Sequence, residues 1–356
     1  MNRRSLLSVI LPILALHAFA EEPSQKEDAL QIRVEQWSPG ETMVRVGKVM
    51  GTPRAKRVLS HERKVDLKTA LDVRIEEETD CGPFVRRLIS YQSAQGDRVP
   101  AYLLVPKQAL ANGAKLVPGV LCLHPTNIDL GAKVAVGLGG APNRAYAMEL
   151  AQRGFVTIAP HYPTMGGYTP DIEKLGYAGG TMKAIDDNIR AIDVLETLPY
   201  VKRDGYGAIG HSLGGHNAIF TAVYEPRITV IISSCGFDSF RDYYSGDPKM
   251  WEPGKGWTQQ RYMPRLADYA GRLDEIPFDF YELIAALAPR VVFVNAPLGD
   301  TNFQWRSVDR VVAFAKLLYE RHGATDRLEV VHPDCGHDFP DEIRERAYQL
   351  FEKHLR

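Results

Sequence analysis

A serine, an aspartate and a histidine, each on a turn after an apolar run, carry the chemistry this sequence offers. Ser212 stands in Gly210-His211-Ser212-Leu213-Gly214-Gly215. The G-x-S-x-G spacing follows a strand-like run and opens a helical one, the context that exposes a serine hydroxyl on a tight strand-to-helix turn. Such a hydroxyl is a weak nucleophile and needs a base and an orienting acid, taken downstream in the order Ser, Asp or Glu, His. Asp300, in Ala296-Pro297-Leu298-Gly299-Asp300-Thr301, and His337, in Pro333-Asp334-Cys335-Gly336-His337-Asp338, occupy those places. Asp238 is a rival acid because it also follows a strand-like run, whereas Asp334 and Asp338 lie too close in sequence to His337 to orient its ring. The chemistry expected of this set is acyl transfer through a covalent acyl-enzyme.

Acyl transfer also needs hydrogen-bond donors for the oxyanion. The backbone N–H of Leu213 is one, and the second is expected from the loop after His124, where Pro125 has no N–H and the donor is Thr126 or Asn127. His124 is either a positioning residue or a satisfied core imidazole, and His161, Trp251 and Trp257 are expected near the substrate. Gly137-Leu138-Gly139-Gly140 lacks the third glycine of a dinucleotide loop and does not immediately follow a strand. His211 and His216 have the wrong spacing for a zinc helix and no evident third ligand, so neither metal nor cofactor is expected.

The elements that would position these residues follow Pro106. Short apolar strands are expected at 118–124, 156–160, 206–210, 230–234, 290–295 and 328–332, with helices at 143–153, 181–198, 214–223, 308–322 and 341–354. This alternation predicts an α/β fold: a mostly parallel, doubly wound sheet of about eight strands with helices on both faces. Strands at 71–77, 84–92 and 98–105 precede it, the last two as an antiparallel hairpin. Upstream, a helix is expected around Glu27–Trp37, with turns at Ser38-Pro39-Gly40 and Gly51-Thr52-Pro53. An aromatic insertion at 236–286 either shapes a binding site or packs onto the body.

The chain has 356 residues, 45% hydrophobic and 24% charged, enough for a sizeable core. With 43 Lys and Arg against 44 Asp and Glu it has no basic field for a nucleic-acid partner. Cys81, Cys122, Cys235 and Cys335 form no disulfide or zinc pattern, and Cys122 reads as a small core residue. Arg3 and Arg4 precede an apolar run from Leu6 to Leu16, and Ala18-Phe19-Ala20 supplies a signal-peptidase site. The run contains Pro12 and falls short of the roughly 18 apolar residues a span needs, so residues 1–20 read as a signal peptide and no stable membrane span is expected afterwards. The exported protein, periplasmic or secreted, would comprise an extension at 21–80 and a catalytic domain at 81–356.

From residue 84 onward the chain resembles the α/β-hydrolase superfamily. The wording is similar to bacterial acetyl xylan esterase and dienelactone hydrolase relatives in GDRVPAYLLVPK (96–107), VLCLHPT (120–126), ELAQRGFVTIAPHYP (149–163) and GHSLGGHNA (210–218). Those relatives often carry Asp where this chain has His161. The resemblance implies a serine hydrolase using Ser212, Asp300 and His337, without cofactor. A short-acyl carbohydrate or polysaccharide ester is the expected substrate. A serine peptidase of the prolyl-oligopeptidase type and a catalytically silent binding protein on the same scaffold are the alternatives.

Overall fold

Continuous runs of buried aliphatic residues form the centre of a nine-stranded sheet. The computed structural model describes residues 38–51, 70–94 and 96–356. The expected signal peptide and the helix around Glu27–Trp37 lie outside these residues. In chain order the elements are α1 (Pro39–Met50), β1 (Arg74–Asp80), β2 (Phe84–Gln92), β3 (Arg98–Pro106), β4 (Val117–Leu123), α2 (Tyr146–Gln152) and β5 (Val156–Pro160). They continue as α3 (Gly180–Thr197), β6 (Val201–His211), α4 (Leu213–Tyr224), β7 (Ile228–Ser234), α5 (Phe280–Ala285), β8 (Val291–Asn295), α6 (Trp305–Arg321), β9 (Leu328–Val331) and α7 (Asp341–Leu355).

The strand order is β1-β2-β3-β5-β4-β6-β7-β8-β9. β1, β2 and β3 form an antiparallel meander, β3 joins β5 antiparallel, and β5 through β9 run parallel to one another. The order reverses around β4, so a crevice at the carboxyl ends of β4 and β6 is the topological place for a ligand. Val120 and Cys122 on β4, Ile209 on β6 and Ile232 on β7 share one buried cluster with Tyr146, Leu150, Tyr348 and Phe351 of α2 and α7. Alternate residues face the other way: a Cβ on Gly119 would meet Leu195 of α3 at 3.1 Å. α3 and α4 therefore cover the opposite face. Cys122 is a core residue as expected, and all four cysteines are free.

Two local expectations need correction. Ser38-Pro39-Gly40 is no turn but the start of α1: the Ser38 hydroxyl accepts from the Glu41 N–H at 3.3 Å, and Pro39 occupies a first-turn position where its missing N–H costs nothing. The first strand lies at Arg74–Asp80 rather than 71–77, and every one of its residues is exposed, so no burial pattern marks its register. Its charged side chains suit an edge strand that must not recruit another chain. The described residues fall within one compact unit, and α1 and β1, both upstream of residue 81, are part of it. Residues 236–286 consist of short 3₁₀ turns followed by α5. Among the described residues no helix is long and apolar enough to cross a membrane.

Candidate active site

β6 delivers its last residue, His211, to the carboxyl edge of the sheet, and the chain reverses into α4 through Ser212 at φ 55° and ψ −121°. A positive φ at a residue with a Cβ is strained and persists only where its surroundings fix it. Here the Ser212 N–H donates to the Ser234 carbonyl at 2.8 Å, and the Ser212 carbonyl accepts from the His216 N–H at 3.0 Å. The turn also needs glycine: a Cβ on Gly214 would lie 1.9 Å from the Leu123 carbonyl oxygen, and one on Gly210 would lie 2.2 Å from the Gly214 carbonyl carbon. Leu213 opens α4, so its N–H belongs to the first-turn donors without a partner inside the helix, at the positive end of the helix dipole.

The loops after β8 and β9 are zipped together. Leu298 N–H donates to the Pro333 carbonyl at 3.0 Å, and Gly299 N–H to the Cys335 carbonyl at 2.9 Å. This brings Asp300 Oδ2 to 2.9 Å from His337 Nδ1. Asp300 Oδ1 accepts from the N–H groups of Asn302 and Phe303 at 2.8 and 3.3 Å, which holds the carboxylate in one orientation. The Asp300 side chain is 1% exposed and that of His337 24%, so the ring alone of the pair reaches solvent. Asp238 is directed elsewhere: its Oδ2 accepts from the Gln304 N–H at 2.9 Å at the start of α6, and burial pushes its pKa well up.

Behind His337, Asp338 Oδ1 accepts from Arg144 and Asn143 at 2.8 and 2.6 Å, and Arg144 also donates to the His337 carbonyl at 3.3 Å. Asn295 donates from Nδ2 to the Asp338 carbonyl at 2.9 Å and to Ser234 Oγ at 2.8 Å. The His211 ring lies 4.8 Å from that of His337, centroid to centroid, with its Nδ1 2.9 Å from Ser234 Oγ. Burial lowers the pKa of His211 well below the usual value, with Arg144 and His337 acting in the same direction. His211, Cys235 and His337 offer ligand atoms within 4.8 Å of one another. Sequence reasoning passed over Arg144, Asn295 and Cys235. Cys235 and Asn295 were findable as residues at the ends of apolar strands, but Arg144 carries no local signal.

The remaining expected residues divide. Thr126 is exposed on the loop after β4, its Oγ1 3.0 Å from the Tyr262 hydroxyl. The Tyr162 N–H donates to His124 Nε2 at 3.0 Å, so Nδ1 carries the ring proton and donates to the Pro125 carbonyl at 2.7 Å. Burial holds the His124 pKa down at about 4, against the raising effect of that carbonyl. His124 is thus a satisfied buried imidazole that anchors the loop. His161 is likewise buried: it is 4% exposed, and a Cβ on Gly166 would come 1.9 Å from its Nδ1. Trp251, 1% exposed, packs edge-on against Phe240 at 5.7 Å and cannot touch substrate in this conformation. Trp257, also buried, stacks on His216 at 4.2 Å and lies 6.2 Å from Phe303, whose ring is 5.9 Å from His337. Trp251 and Trp257 of the insertion thus pack into the body, and Trp257 backs Phe303, while Tyr244 stays exposed.

The glucuronyl esterase model of fungi matches residues 182–323, a span that includes Ser212 and Asp300 and stops before His337. Bacillus subtilis (strain 168) YtaP is 25% identical over 269 residues, covering 73% of this chain and 84% of that protein. The 4-O-methyl-glucuronoyl methylesterase 1 of Wolfiporia cocos is 27% identical over 183 residues, 47% of this chain, and the aligned part is 44% of that enzyme's length. Among solved structures, a glucuronoyl esterase from Solibacter usitatus superposes with a TM-score of 0.64 at 18% identity, covering 88% of this chain and 91% of that one. Sheet order, the tight turn at Ser212 and these similarities agree on an α/β-hydrolase fold, with sequence similarity to a glucuronoyl methylesterase over about half of the chain.

Proposed function

We propose that the chain is an exported serine hydrolase that cleaves carboxylic esters carried by carbohydrates. Ser212 attacks the ester carbonyl while His337, held through Nδ1 by Asp300, takes the hydroxyl proton on Nε2 and then gives it to the departing alcohol. Asp300 holds the imidazolium that forms. The N–H groups of Leu213 and Thr126 receive the developing oxyanion. Water then enters by the same route in reverse and releases the acid. The observation that carries this reading is the 2.9 Å Asp300–His337 hydrogen bond, with the His337 ring 4.8 Å from that of His211, the residue before the positive-φ Ser212. Export rests on Arg3, Arg4 and the apolar run ending before Ala18-Phe19-Ala20.

Acetyl esters of a polysaccharide such as xylan are the first substrate assignment, in line with the wording shared with acetyl xylan esterases. Methyl esters of a uronic acid are the second, favoured by the family match over residues 182–323 and the methylesterase relative. Purified protein and its Ser212→Ala variant are to be assayed on p-nitrophenyl acetate, acetylated xylan, a methyl glucuronate glycoside and a proline-linked peptide amide. The expected result is ester cleavage that falls at least about 10³-fold in Ser212→Ala. Preference for the peptide would move the reading to a peptidase, and binding of the sugar esters without turnover would move it to a silent scaffold.

A further inference from the structure

Two adjacent strands, β6 and β7, are each followed directly by a non-glycine residue at positive φ: Ser212 at 55° and Cys235 at 48°. Strain of this kind is kept where a side chain must be aimed. In Cys235 the backbone is fixed by its N–H donating to the Asn295 carbonyl at 2.8 Å, and Sγ is set 3.4 Å from the Asp338 carbonyl oxygen and 3.9 Å from Ser234 Oγ. The thiol thereby joins His211 and His337, with all three ligand atoms within 4.8 Å of one another.

One sulfur and two imidazole nitrogens form the donor set that zinc and similar soft or borderline cations select, with the fourth position left open. Bonds of about 2.0–2.3 Å put tetrahedral donors roughly 3.3–3.8 Å apart, so the cluster needs to close by about an ångström. The supporting shell is present. Ser234 Oγ, 2.9 Å from His211 Nδ1, also accepts from Asn295, the outer hydrogen bonding that orients a ligating imidazole. Asp300 already occupies His337 Nδ1 at 2.9 Å, so a cation must either take Nε2 or displace that carboxylate from Nδ1, and the partly exposed His337 ring provides the entry path.

We propose that His211, Cys235 and His337 bind a thiophilic divalent cation such as Zn²⁺, and that occupancy switches hydrolysis off by taking the His337 lone pair. The Cys235 thiol proton leaves to solvent as the sulfur–metal bond forms, and no atom changes oxidation state. The inhibitory half rests on His337 being the base proposed above, whereas the binding half does not.

The test therefore has two readouts. Co²⁺ titrated into the full chain should give a sulfur-to-cobalt charge-transfer band in the near ultraviolet that is lost in both Cys235→Ala and Cys235→Ser. Zn²⁺ should inhibit p-nitrophenyl acetate hydrolysis reversibly, Mg²⁺ should not, and Cys235→Ala should need at least tenfold more Zn²⁺ for half inhibition, measured relative to its own basal rate. No cobalt band, or a band unchanged in either folded variant, overturns the site. Equal Zn²⁺ sensitivity in wild type and Cys235→Ala overturns the switch. If no ester is turned over while the cobalt band follows Cys235, the functional reading fails and the metal site stands.

Discussion

Asp300 and Asp238 are both buried carboxylates after neighbouring strands, and the atom each one meets separates them. Asp300 faces a histidine ring at 2.9 Å, and Asp238 faces the Gln304 N–H at 2.9 Å. Asp300→Asn should leave the ring without its ionised partner and lower kcat by roughly 10³–10⁴-fold with little change in KM. Asp238→Asn keeps an oxygen for the Gln304 N–H and should stay within about tenfold of wild type. Steady-state ester hydrolysis by the two variants checks this, and a larger loss for Asp238→Asn would reverse the assignment. The turn positions of Ser212 and His337 after their strands are legible from chain order, because the motif and the strand-end turns are local. The choice of acid is not, since it depends on the backbone pairing of two loops from different strands. Trp251 illustrates the same limit: its place in the aromatic insertion suggests proximity to the substrate, and only the packing of Phe240 and Tyr243 around it reveals a buried ring.

At the scale of elements, α4 is legible from its starting motif and not from periodicity, and it is tightly constrained in the fold. All its residues are buried, so no helical stripe of apolar positions distinguishes it, and its recognition depends on the glycine-serine turn that starts it. The parallel strands are legible for the opposite reason, as short apolar runs bounded by turn residues, while fully exposed β1 has nothing to fix its register. Within α4, His216 is 0% exposed, and neither ring nitrogen has a hydrogen-bond partner. Burial lowers its pKa from 6.5 to about 3. Between those values the unfolded chain binds a proton that the folded chain does not, so this residue's contribution is complete above about pH 6.5 and stability falls as pH drops toward 3. His216→Phe removes the titration and keeps an aromatic ring against Trp257. Between pH 7 and pH 4.5 wild type should lose about 2–3 kcal/mol more than the variant, read from urea unfolding at both pH values. Equal losses would mean that the ring titrates normally inside the fold.

For the whole molecule, the boundary drawn at residue 81 meets a physical objection. α1 buries Val46, Val49 and Met50, which are 0%, 4% and 3% exposed, and it packs on α5 and on the turn at Pro264–Tyr269. α5 in turn carries Phe280, stacked on Phe237 at 4.9 Å and 5.7 Å from His216. A path of packed side chains therefore links α1 to α4, the helix that opens directly after Ser212. A fully buried aliphatic side chain contributes about 1.5–3 kcal/mol, so removing α1 uncovers several kcal/mol of contact surface, an upper estimate. Losing β1 as well would leave β2, with Phe84 and Ile89 buried, as the sheet edge in place of an exposed charged strand. A chain beginning at Cys81 should therefore melt at least roughly 5 °C below one beginning at Glu21 and aggregate at lower concentration. Scanning calorimetry and light scattering on the two chains decide the matter: equal melting temperatures and equal solubility would show that the fold is self-sufficient from residue 81, and that α1 and β1 are passengers on it.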